Sequence, residues 1–218
     1  MLPSTLWKLS GGARGLILVA AIAAVGMVIP RRFGSLFLDP AILLPYSAIA
    51  VVFASNFVVR GVVGEADEIS IRRMVFGGTL YGWLCWLAIL ATALVALSAN
   101  SGRPALPQTL LTIGLIAFTL SAAWLSACFA ALIATTVSSV QTARGMTRMA
   151  LLFILLLCVV APPFLPGSWQ SGLSSLLTSR NLGRNLLLLS PVFILGGIGL
   201  LRSVHRILVD RSTPLSII

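Results

Sequence analysis

Long apolar stretches alternate with short polar breaks along the chain. The apolar runs cover residues 15–30, 41–59, 74–97, 108–140, 149–162 and 186–201. A helix rises about 1.5 Å per residue and a hydrocarbon core is about 30 Å thick, so runs of this order can cross it. The runs are continuous rather than alternating, which fits helices and not barrel strands. Helices also satisfy their own backbone polar groups where no water is present. The pattern predicts an all-α integral membrane protein, a single domain over residues 1–218 built as a bundle of six transmembrane helices.

The first run is short, and Arg14 with Arg31 and Arg32 can snorkel at its ends. A signal peptide has a similar start. However, Pro30-Arg31-Arg32 stands where a small-residue cleavage site belongs, so the run is read as a retained span. Before it, Ser4 can cap a short helix, and Trp7 beside Lys8 suits the head-group layer, predicting a short N-terminal interfacial helix over 3–11. Between the fifth and sixth runs, residues 163–184 carry Trp169, Leu173, Leu176 and Leu177 at spacings that share one helical face. Short outer helices lying in the interface are expected there. Residues 141–148 read as a basic linker, and 202–218 as a tail in water.

The most charged break separates the second and third runs. Residues 60–73 hold Glu65, Asp67 and Glu68, three of the five acids, with Arg60, Arg72 and Arg73. Such an island must sit in water, which makes it the best-defined contact surface of the chain. An even number of spans puts both termini on one side. With the amino terminus inside, Lys8, Arg14, Arg60, Arg72, Arg73, Arg144, Arg148, Arg202, Arg206 and Arg211 are cytoplasmic. Only Arg31, Arg32, Arg103, Arg180 and Arg184 are then outside. That bias follows the positive-inside rule and places the island in the cytoplasm.

Composition agrees with the pattern. The chain of 218 residues is 58% hydrophobic and 9% charged, with a mean hydropathy of +1.06, against roughly 25% charged in soluble domains. The net charge of +10 lies at span ends, where it orients helices and meets anionic head groups, so a nucleic-acid partner is not expected. Cys85, Cys128 and Cys158 fall inside apolar runs without a CxxC and read as small core hydrophobes.

Absences narrow the function. Asp39, Asp210 and the three island acids all fall in loops or tails, whereas ion-coupled transporters hold ionisable groups within the membrane. Lys8 is the only lysine, and no P-loop motif occurs. His205 is the only histidine and lies in the tail, which excludes a bis-histidine haem, an HExxH metalloprotease and a serine–histidine pair in the bilayer. No catalytic, cofactor or metal site is predicted, and the chain is not expected to be an enzyme by itself.

The layout resembles the membrane subunit of type 2 ABC exporters, the ABC-2 permease family. Gly64-Glu65-Ala66-Asp67-Glu68-Ile69, followed by Ser70-Ile71-Arg72-Arg73, occupies the place where those permeases carry a coupling helix that docks on an ATPase subunit. The basic stretch 138–148 matches their polar junction between spans four and five, and 163–184 their short re-entering helices. The longer Glu-Gly-Thr-Leu-Glu style lead-in is absent. The resemblance implies a permease of the bacterial inner membrane, with ATP and Mg bound by a partner ATPase. It also implies pairing with a second copy or a related permease, and export of an amphipathic or lipid-like substrate.

On this reading Glu65, Asp67, Glu68, Ile69, Arg72 and Arg73 form the ATPase-coupling site. Arg144 and Arg148 are a candidate second cytoplasmic contact. Asn56, Gly78 and Gly82 are candidates for the pathway or for helix packing, with Asn56 expected to bond a neighbouring helix. Two other readings stay open: a non-transporting anchor or assembly subunit of a larger complex, and a secondary transporter.

Overall fold

A computed structural model describes residues 21, 40–65, 67–101, 109–160, 166–168, 171 and 179–212. Every regular element among them is a helix: α1 (Pro40–Val62), α2 (Glu68–Ser101), α3 (Thr109–Thr136), α4 (Val140–Val160) and α5 (Ser179–Ser212). Two stretches, Leu111–Thr136 and Leu182–Asp210, are long and apolar enough to cross a membrane, and Ser47–Val62 is a shorter apolar helix.

Helix α3 is the centre of the described bundle, packing on α5, α1, α2 and α4. Its inward positions are small: Ala123, Ala127, Cys128, Ala130, Ala131 and Ala134 are all buried. Small side chains let backbones approach, and van der Waals contact then supplies the attraction that lipid-like surroundings do not. Hydroxyls enter this apolar interior without leaving a donor unmet. Thr119 donates to the Leu115 carbonyl at 2.7 Å, Thr79 to Val75 at 2.8 Å and Ser190 to Leu186 at 2.9 Å. Ser126 donates to Ala123 in its own helix and also reaches the Val51 carbonyl of α1 at 3.3 Å.

Two close approaches lock α2 and α5 onto their neighbours. Gly82 of α2 lies against Ala50 and Ala54 of α1, where an added Cβ would stand 2.8 Å from the Ala54 nitrogen. One turn earlier, a Cβ at Gly78 would stand 2.6 Å from Val58 Cγ2. Between α3 and α5, Gly114 meets the backbone of Gly183, and Gly197 makes room for the indole of Trp124.

Several boundaries differ from the sequence reading. The charged island does not form a separate coupling helix, because α2 begins at Glu68 and runs on through the third apolar run. Residues 141–148 are not a linker but the first turns of α4, where Ala143 and Thr147, one turn apart, are buried on one face. Residues 179–184 open α5 instead of an outer helix, and α5 continues through 202–212, because Val204 is buried and Leu201 and Leu208 pack on the core. The interfacial helix at 3–11, the first span at 15–30 except Ala21, and most of 163–178 lie outside the described residues.

Candidate functional site

The charged island is a capped turn. Helix α1 ends at Val62, and Gly64 takes a φ of 83°, the left-handed conformation that glycine adopts without penalty. The Glu65 N–H then donates to the Val62 carbonyl at 2.9 Å, closing the C-terminal turn. Asp67 stands at the N-cap of α2, its carboxylate accepting from the N–H groups of Ser70 at 2.9 Å and Ile69 at 3.3 Å. Those amides belong to the first turn of a helix and have no carbonyl partner within it. Glu65 reinforces the cap: its carboxylate accepts from the Asp67 N–H and from the Ser70 hydroxyl, both at 3.3 Å. Two of the three island acids thus hold the turn in shape.

The third acid joins distant parts of the chain. Glu68, the first residue of α2, accepts from Arg72 Nη2 at 2.5 Å one turn along the same helix. Its other oxygen meets Nδ1 of His205 on α5, also at 2.5 Å. The hydrogen bond from His205 holds the Glu68 carboxyl below its ordinary value of 4.5, partial burial works in the opposite direction, and Arg72 adds to the lowering. The sequence reading placed His205 in a tail in water and gave it no structural role. The available signal was the apolar spacing of Leu201, Val204 and Leu208, which extends the helix and sets His205 on its exposed side.

The turn is stiffly coupled to the bundle. Ile71 and Val75 of α2 are fully buried with Val58 and Val62 of α1. Ile69, on the other side of the helix, is 61% exposed, and Arg72 and Arg73 are exposed beside it. Arg73 has no ion pair or hydrogen bond among the described residues. The start of α2 thus presents an exposed apolar side chain flanked by two guanidinium groups.

The other candidate residues lie apart from this turn. Asn56 donates its amide to the Val52 carbonyl one turn back in its own helix at 2.9 Å, and among the described residues no bond from it to a neighbouring helix is found. Gly78 and Gly82 sit in the α1–α2 contact. Trp86 is fully buried, and Trp124 donates to the Ile194 carbonyl of α5 at 3.4 Å. Arg144 and Arg148 lie one turn apart on α4, which packs against α1, the helix that ends with Arg60 in its last turn. Among the described residues no three metal-ligating side chains come together.

Comparison with protein-family models, characterised proteins and solved structures finds no match.

Proposed function

We propose that this chain is the membrane permease subunit of an ATP-driven exporter of an amphipathic or lipid-like substrate. A separate ABC ATPase would dock on the turn between α1 and α2. The observation that carries this reading is the turn itself. Its exposed tip, Ile69 with Arg72 and Arg73, is joined to the bundle through the buried Ile71 and Val75, so a push on the tip is transmitted to α1 and α2 without loss in a loose loop. ATP and Mg would be held by the partner, and two permease bundles would enclose the path.

A bacterial inner-membrane location follows from the same reading. In α5, Leu188, Val192 and Leu195 are exposed, with Leu188 and Leu195 at 67% each. In α4, Met149, Leu152 and Phe153 are exposed as well. Apolar side chains at that density are costly in water and at ease in lipid.

A second reading draws on a different observation. The acids expected to face an ATPase are engaged inside the chain, with Glu65 and Asp67 in the cap and Glu68 with Arg72 and His205. A charged island that serves its own fold suits an anchor or assembly subunit equally well. Purification of the tagged protein with its native partners in mild detergent separates the two. The exporter reading expects a P-loop ATPase in the complex with vanadate-sensitive ATP hydrolysis. A stable complex of other membrane subunits without an ATPase supports the assembly role.

A further inference from the structure

Arg144 and Arg148 stand on one face of the first turns of α4, one turn apart. Helix α4 packs against α1, whose last turn carries Arg60. The Nε of Arg144 is buried and has no hydrogen-bond partner among the described residues, while Arg148 is exposed on the same rim of the bundle. Neither Arg144 nor Arg148 has an ion pair or hydrogen bond among the described residues. The acids of the neighbouring turn are already engaged, Glu65 and Asp67 in the cap of α2 and Glu68 with Arg72 and His205.

We propose that Arg144 and Arg148, with Arg60 across the α1–α4 contact, hold a phosphate group at this rim. A guanidinium presents its N–H groups in a planar fork that matches two oxygens of a phosphate, and charge-assisted bonds of that kind are the strong ones. Burial and the charges of Arg60 and Arg148 together push the Arg144 guanidinium below its ordinary pKa, so the cluster is under positive stress that an anion relieves. The N-terminal end of α4 adds its own positive partial charge on the same side.

The phosphate has two chemical sources, the headgroup of an anionic phospholipid or free inorganic phosphate. A rim at the end of apolar helices is where headgroups gather, and a basic cluster there gains from the negative leaflet surface. The inference concerns only this rim and does not depend on an ATPase partner.

The test uses the full-length chain in nanodiscs of phosphatidylcholine, with and without phosphatidylglycerol, and reads the thermal unfolding midpoint. Native mass spectrometry of the released protein reads retained phosphatidylglycerol. Binding to the folded state raises the midpoint, by about 3–6 °C for a tenfold gain in folded-state weight at this chain length. Phosphatidylglycerol is expected to raise it, and Arg144→Gln/Arg148→Gln to remove at least half of the rise and the retained lipid. Arg202→Gln/Arg206→Gln, on α5, is the control for general charge and is expected to keep both. Adding inorganic phosphate to the neutral discs assigns the source: a matching rise that needs the same arginines points to free phosphate. Because Arg144 is partly buried, Arg148→Gln alone serves if the double variant does not fold, and it should still weaken the effect. Equal rises in the wild-type protein and the α4 variants, or no rise with either probe, would overturn the proposal.

Discussion

Oε2 of Glu68, at the first turn of α2, meets Nδ1 of His205 near the end of α5 at 2.5 Å, across 137 positions of sequence. The pair ties the charged turn to a helix that exposes Leu188, Val192 and Leu195. Because Glu68 has its carboxyl lowered in the folded chain, its contribution is fully present above the ordinary value of 4.5 and is lost as pH falls through the lowered one. Spin labels at Ile69 and Val209 should report a narrow distance distribution at neutral pH. The distribution should broaden as the solution is taken below about pH 4.5, and His205→Ala should broaden it at neutral pH.

The cap of α2 makes a separate prediction that distinguishes shape from charge. Asp67→Ala removes the acceptor for two backbone amides and should cost about 1 kcal/mol in unfolding measurements. Asp67→Asn keeps an acceptor oxygen and should cost only a fraction of that. If the two are equally destabilising, the cap is not what Asp67 contributes.

Much of this arrangement could be read from sequence, and the rest was hidden for identifiable reasons. The helical character followed from unbroken apolar runs, whereas the capped turn was read only as a charged island in the place of a coupling helix. The reach of α4 and α5 beyond their apolar runs was obscured because Arg144, Arg148, Arg202 and Arg206 suggested loops by composition. Periodicity says otherwise: Ala143 and Thr147, and Val204 and Leu208, are one turn apart and face the core. The Glu68–His205 pair has no local signal, since nothing near either residue specifies a partner on a helix so far along the chain. Asp67 shows the opposite problem. Its charge suggested docking, while its position two residues before Ile69 and three before Ser70 specified a cap.

Glycine substitutions test the packing of α1 against α2. Gly82→Ala places a methyl against the backbone of Ala50 and Ala54, which cannot move without displacing a helix. A loss of about 1–3 kcal/mol is expected, beyond the gain in helix propensity. Gly199→Ala meets open space and should be neutral or slightly stabilising. Thermal unfolding of the two variants in the same detergent compares them directly, and equal midpoints would contradict the close approach.

A similar contrast applies between α3 and α5. A Cβ at Gly197 would run into the Trp124 indole, which also donates to Ile194. Gly197→Val should lower the midpoint, while Gly196→Ala, whose nearest neighbour is the flexible end of Leu125 at 3.2 Å, should change it little.

An ATPase docked on the tip of α2 would meet Ile69, whose side chain is exposed and supports none of the cap. The measurement is capture of the ATPase from native membranes by tagged wild-type protein and by Ile69→Asp, each verified as folded by its unfolding midpoint. The wild-type chain is expected to bring down a P-loop ATPase, and Ile69→Asp to lose it while keeping its midpoint. Undiminished capture by Ile69→Asp, or a stable wild-type complex that contains no ATPase, would contradict docking at this tip.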